Sequence, residues 1–208
     1  YPARILAGLL TDADRIDDRL LETGAVERQA DAAVVRQQAE RGVNAPTTTS
    51  AGRYLDAVSA LVGACDRRTY EGEPAQRLEA LAREGTPQPI EVPYETRNGY
   101  QVLDVQTLVR SLAALVDDAP AADVAATAQH ALANGLATIA VNAAADRTVE
   151  RIGFTGGVAY NDAISRQVRT TVTAADCPYL EPEMIPPGDG GIAYGQAIVA
   201  TARETPGD

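Results

Sequence analysis

Two glycine-rich segments toward the C-terminus carry the strongest chemical signal in this chain. In RIGFTGGVAYND, Arg151 to Asp162, an apolar strand-like run ends in Gly156-Gly157 and a helical pattern begins a few residues later. Glycines at a strand-to-helix junction let backbone N–H groups meet an anion without Cβ interference, and the helix N-terminus adds partial positive charge. Asn161 is placed to hydrogen-bond a ligand lying over that junction. Read structurally, the same residues are a tight βα turn with Asn161 as a helix cap. In PPGDGGIAYGQAIVA, Pro186 to Ala200, Asp189 precedes Gly190-Gly191 and opens the last helix. Its carboxylate can cap that helix, or hold a metal whose phosphate ligand sits over the same glycines. Gly191 and Gly195 share one helix face, which would let that face lie close against a neighbour. In an open α/β sheet such junctions line the ligand crevice.

A third candidate lies upstream, in TTTSAGRYLDAVSALVG, Thr47 to Gly63, and TYEGEPAQRLE, Thr69 to Glu79. Asp56 follows Arg53 by one helical turn, which by itself reads as a surface ion pair contributing under about 1 kcal/mol. Glu71, Gly72 and Glu73 stand at a loop–helix boundary and can equally form a capping arrangement. Other chemistry falls away. His130 is the only histidine and sits in an alanine-rich helical stretch, which gives it a structural role and argues against a His-based triad. Cys65 and Cys177 have no CxxC spacing and no neighbouring base, so they read as inert thiols of a reducing, cytoplasmic setting, with a single bridge between them as the minor alternative. Neither a dinucleotide-binding fingerprint nor a Walker A loop occurs.

The elements that must position these residues follow from periodicity. Apolar spacing predicts helices over Asp14–Leu21, Val26–Glu40, and from Ser50 as N-cap to Gly63, then one with Pro74 in its first turn. The character changes near Gly85. Pro87–Tyr100 holds three prolines and, with Ile90–Val92 and Tyr100–Leu103, predicts a hairpin. Asp104 caps a helix bearing Leu108 and Leu112, and Pro120 opens a long alanine-rich helix to about Ala145. The remainder alternates: strand Val149–Thr155, helix from about Tyr160 to Ala174, strand Pro178–Leu180, helix Asp189–Arg203. A β-α-β-α ending implies parallel strands with crossover helices, hence an α/β class.

Composition sets outer bounds. The chain has 208 residues, 18 basic and 29 acidic side chains, and a formal net charge of -11. Such a surface opposes non-specific binding to nucleic acid or anionic lipid, both polyanions. No apolar run approaches the roughly 20 residues of a membrane span. All basic residues are Arg, and the acidic, alanine-rich balance suggests a high-salt or GC-rich source, a halophilic setting.

The blocks VNAPTTTSAGRYLDAV, TYEGEPAQRLE, GFTGGVAYND and IPPGDGGIAYGQA, in that order and over nearly the whole chain, resemble the C-terminal lobe of the HypF hydrogenase-maturation carbamoyltransferases. The lobe is shared more distantly with TsaD-type tRNA threonylcarbamoyl transferases and antibiotic O-carbamoyltransferases. The resemblance implies a helical subdomain over residues 1–85, followed over 86–208 by an RNase-H-like lobe of the actin–Hsp70–sugar kinase fold. It also implies ATP-dependent chemistry: carbamoyl phosphate yields a carbamoyl-adenylate, and the carbamoyl group passes to the C-terminal cysteine of a HypE-like acceptor protein. The product becomes the cyanide ligand of nickel–iron hydrogenase.

Carried over by motif, Asp56 and Gly72 would contact the ribose side of the nucleotide, with Glu71 or Glu73 nearby. Gly156, Gly157, Val158 and Asn161 would hold the nucleotide, together with Gly190 and Gly191. Asp189 would give a carboxylate to a divalent metal: Zn, Fe or Mg. The family's paired metal-binding histidines and first phosphate loop have no match here, so the chain is expected to be part of a longer protein and inactive alone. Two other readings stay open: a lobe of a small-molecule O-carbamoyltransferase, and a non-catalytic partner-binding module.

Overall fold

The computed structural model describes residues 1–10, 12–147 and 149–204. They form two compact units, Tyr1–Leu136 and Ala137–Asp208.

The first unit is helical. Its elements are α1 (Pro2–Leu6), α2 (Ala13–Glu22), α3 (Gln29–Glu40), α4 (Ala51–Leu61), α5 (Glu73–Ala82), strands β1 (Tyr94–Arg97) and β2 (Tyr100–Leu103), α6 (Val105–Leu115), and the first turns of α7 (Ala121–Arg147). Helix α4 is the core element: every residue from Tyr54 to Leu61 is buried, and α1, α5 and α6 pack on it. The run YLDAVSAL explains this, because small and apolar side chains on all sides let neighbours approach from several directions. Leu6, Leu55, Val58, Leu78, Leu108, Leu112 and Leu132 are fully buried, each contributing about 1.5–3 kcal/mol. The Tyr54 hydroxyl donates to the Ala128 carbonyl over 3.1 Å, joining α4 to α7. Asp104 caps α6 as expected, its carboxylate accepting from the Thr107 N–H at 3.0 Å.

Two expectations shift. Ser50 holds the N-cap position of α4 with extended backbone, but its side chain makes no capping bond. The hairpin's first strand is Tyr94–Arg97, not Ile90–Val92; it pairs antiparallel with Tyr100–Leu103 in the register Arg97↔Tyr100. The turn decides this. Asn98 and Gly99 have φ of 52° and 79°, the signature of a two-residue type I′ turn, which allows only the flanking residues to pair.

The change of character at Gly85 falls inside the first unit. A Cβ on Gly85 would lie 2.0 Å from the Ala122 carbonyl oxygen, so the chain passes flush against the start of α7. Thr86 N–H donates to Asp123 Oδ1 and Gln88 N–H to Thr127 Oγ1, both over 2.8 Å. Those two bonds fix the segment after Gly85 on α7, and the Tyr54–Ala128 bond links residues on either side of Gly85 within this unit.

The second unit has a βαβ core. Strands β3 (Ile152–Gly153) and β4 (Tyr179–Leu180) pair parallel, Ile152↔Tyr179 and Gly153↔Leu180, with crossover helix α8 (Asp162–Ala174) between them. Helix α8 buries Ile164, Val168 and Val172 at i, i+4 and i+8, one face toward the strands. The strands are shorter than the expected Val149–Thr155 and Pro178–Leu180, because a ladder extends only where a partner backbone accompanies it. Helix α9 (Ile192–Glu204) follows a 3₁₀ turn over Asp189–Gly191.

Candidate functional site

The two glycine-rich loops of the second unit meet. Strand β3 ends at Gly153, and three residues later Gly156 adopts φ 104° and ψ 176°, a backbone region open essentially to glycine alone. Gly157 then starts a 3₁₀ turn through Tyr160. The Gly156 N–H donates to the Pro187 carbonyl over 2.7 Å, which joins this loop to the segment before Asp189. On that second loop the Gly191 N–H donates to the Gly188 carbonyl over 2.9 Å.

The glycines have different physical reasons. Cβ atoms on Gly156 or Gly157 would meet no atom within 4 Å, so the space over this turn is open. A Cβ on Gly191 would stand 2.6 Å from the Pro186 carbonyl oxygen, so that glycine serves close packing against the proline turn. Gly190 would meet Pro186 Cγ at 3.3 Å, a tight but softer contact. Gly195, expected to share that packing face, meets nothing within 4 Å. As the first two residues of the 3₁₀ turn, Gly157 and Val158 have no acceptor within it for their N–H groups. Beside them, Asn161 is buried and caps α8: its Oδ1 accepts from the Ile164 N–H over 2.9 Å. The turn thus combines open space above its glycines with the capped N-terminus of α8 directly after it.

Asp189 is exposed and opens the second 3₁₀ turn, whose N-cap position is Gly188. Among the described residues no group of three or more His, Cys, Asp or Glu could hold a metal ion. One carboxylate does not fill a coordination sphere, so the residues present do not fit a metal on their own. The sole histidine, His130, is paired through Nε2 with Asn134 Nδ2 at 2.8 Å.

The remaining candidates belong to the first unit. Asp56 lies on α4 and is only 5% exposed, so it is no surface residue. Arg53 Nη1 stands 2.9 Å from its Oδ2, with the Arg53 side chain 42% exposed. Burial pushes the Asp56 carboxyl above the usual aspartate range, against the opposing pull of Arg53, Arg68 and the N-terminal ammonium. Gly72 is the N-cap of α5 at φ 81°, a left-handed conformation suited to glycine. Glu71 is exposed on the same loop.

Glu73 is fully committed to structure. It is 2% exposed, and its Oε2 accepts from both the Thr69 N–H (2.5 Å) and the Thr69 hydroxyl (2.9 Å). Arg77 Nη2 meets Oε1 at 2.7 Å. The Thr69 bonds, chiefly the backbone one, hold this carboxyl below the usual glutamate range, with Arg77 adding to them. Nothing in the local spacing distinguishes Glu73 from Glu71, since the distinction depends on which one turns inward.

A family model described as "Carbamoyltransferase, Kae1-like Domain, second subdomain" matches residues 1–196. The chain belongs to this family. Among family relatives, the probable carbamoyltransferase HypF of Methanocaldococcus jannaschii is 34% identical over 166 residues, covering 79% of this chain and 21% of that protein. The chain therefore spans about a fifth of that relative's length. The crystal structure of T. kodakarensis HypF superposes with a TM-score of 0.83 at 34% identity, covering 96% of this chain and 27% of the other. A full-length HypF, described as the phosphate- and nucleotide-bound form, matches with a TM-score of 0.76 at 21% identity over 92% of this chain and 26% of the other. At that identity it shows the fold alone. The Kae1-like subdomain is thus largely helical here, with a short parallel βαβ unit carrying the two glycine loops.

Proposed function

We propose that this chain is the nucleotide-holding second subdomain of a HypF-like carbamoyltransferase. In the parent protein, carbamoyl phosphate would lose inorganic phosphate to water to give carbamate, whose oxygen would attack the α-phosphate of ATP and expel pyrophosphate. The thiolate of a HypE-like C-terminal cysteine would then attack the carbonyl carbon of the carbamoyl-adenylate and expel AMP. The thiocarbamate so formed serves hydrogenase maturation. The observation that carries this reading is the junction at Gly156-Gly157: open space, two N–H groups with no acceptor inside their own 3₁₀ turn, and a helix N-terminus immediately behind them. Those groups suit the phosphate oxygens of an adenylate.

By resemblance, Val158 N–H and Asn161 Nδ2 add contacts to the nucleotide, Gly190 and Gly191 lie on the same loop pair, and Asp56 and Gly72 serve the ribose side. Glu71, exposed beside Gly72, is the better acidic candidate for a ribose hydroxyl than Glu73, whose oxygens are taken. Asp189 remains the one carboxylate offered toward a metal, and no step is drawn through it.

Titrating ATP into this chain while following its amide spectrum tests the reading. The N–H signals of Gly157, Val158 and Ile164 are expected to shift, with α2 and α3 unmoved. Shifts scattered over the surface, or none at all up to saturation, would reject the nucleotide site.

A further inference from the structure

The Tyr160 ring occupies the space that a side chain at residue 188 would need. A Cβ on Gly188 would stand 2.5 Å from Tyr160 Cε2 and 3.2 Å from both Cζ and the hydroxyl oxygen. Gly188 has φ -102° and ψ -153°, an extended conformation open to any residue, so space rather than backbone geometry demands glycine there. The same hydroxyl lies 4.0 Å from where a Cβ on Gly190 would be. Tyr160 is nevertheless 55% exposed, a large aromatic ring at the rim of the loop pair rather than in the core. Its backbone is firmly held: Ala159 N–H donates to the Gly156 carbonyl and Asn161 N–H to the Val158 carbonyl, both over 3.0 Å. The Ser165 hydroxyl adds a bond to the Ala159 carbonyl at 2.8 Å.

We propose that Tyr160 is a positioning residue: its ring wedges against Gly188 and sets the Pro186–Gly191 loop against the Gly156–Gly157 turn. The Gly156–Pro187 hydrogen bond is a single point about which the second loop can swing. The ring contact at the next residue is a second point, and two points fix an orientation. Preset in this way, the loop that carries Asp189 and Gly190 needs no ordering on binding. The role in binding rests on the nucleotide reading above; the wedge does not.

Amide hydrogen exchange on the nucleotide-free chain tests the wedge directly, through the Gly156 and Gly191 N–H groups that bond within and between the loops. Tyr160→Ala is expected to speed both by about tenfold or more, while Tyr160→Phe stays within about twofold of the parent and amides in the middle of α8 do not change. Gly188→Ala should speed both amides in the parent, yet add nothing in the Tyr160→Ala background, where the ring is gone. With ATP, Tyr160→Ala should weaken affinity about tenfold and Tyr160→Phe should restore it, since packing and not the hydroxyl acts. Parent-like exchange in Gly188→Ala, strictly additive effects in the double variant, or Tyr160→Phe behaving as Tyr160→Ala would each overturn the wedge. Should the parent chain fail to bind ATP, the nucleotide reading falls, and the exchange pattern still decides the wedge by itself.

Discussion

The Gly156 N–H donates to the Pro187 carbonyl over 2.7 Å, and this bond joins two glycine loops that lie far apart in sequence. It engages the Gly156 N–H, while a Cβ on the next residue, Gly157, would meet no atom within 4 Å. The adjacent glycines thus have separable roles.

That separation yields a first prediction. Gly156→Ala forces a side chain into φ 104°, so it should lower stability by about 1–3 kcal/mol. A Cβ at Gly157 would meet no atom within 4 Å, so Gly157→Val should melt close to the parent while losing ATP binding. Thermal melts paired with ATP titrations would separate the two. Equal melting losses in both variants would mean that the turn is merely packed.

Asp56 supports a second. Burial, the largest influence, raises its carboxyl pKa, so its ionisation opposes folding as pH rises from the usual aspartate value through the raised one. In Asp56→Asn that decline disappears. Its remaining partner, Arg53, is 42% exposed and stays hydrated, so stability at neutral pH should stay within about 1 kcal/mol of the parent. ATP affinity should fall. Global unfolding of Asp56→Asn would show the carboxylate to be a structural requirement.

Glu73 has the opposite sign. Its carboxyl is depressed by the Thr69 bonds and by Arg77, so its contribution is full above the usual glutamate range and is lost as pH falls through the depressed value. Glu73→Gln should therefore melt below the parent at pH 7, with the gap closing in acid. Melts across an acid-to-neutral series check this. A gap that widens in acid would refute the clamp at Thr69.

Asn161 combines cap and donor, and two substitutions divide them. Asn161→Ala removes the acceptor for Ile164 N–H and should cost about 1 kcal/mol of stability. Asn161→Asp keeps that acceptor, restoring the melt, but replaces the Nδ2 donor with negative charge and should bind ATP more weakly than the parent. If Asn161→Asp binds ATP normally, the residue is only a helix cap.

Much of the local chemistry was readable from residue types because it is decided within a few residues. The strand-to-helix glycine turn, the Asn161 cap, the Asp104 cap and the parallel β-α-β order all follow from short-range backbone preferences, and all are present. The hairpin register was missed for an equally local reason: the Asn98-Gly99 turn outweighs the strand propensity of Ile90–Val92, which Pro93 also cuts short.

The sequence by itself determined, through its four motif blocks, the family to which the chain belongs, and it singled out the glycine and acidic positions as candidates. Only the tertiary structure decided what each of those residues is for. Gly156 is glycine for its dihedral, Gly188 and Gly191 for space, and Gly157 for the opening above it. Asp56 is a buried carboxylate instead of a surface ion pair, and Glu73 turns inward while Glu71 does not. The physical reason is range. Dihedral and capping preferences act over a turn, whereas burial, steric room and hydrogen-bond supply come from partners such as Tyr160, Pro187 and Thr69, whose positions no local pattern encodes.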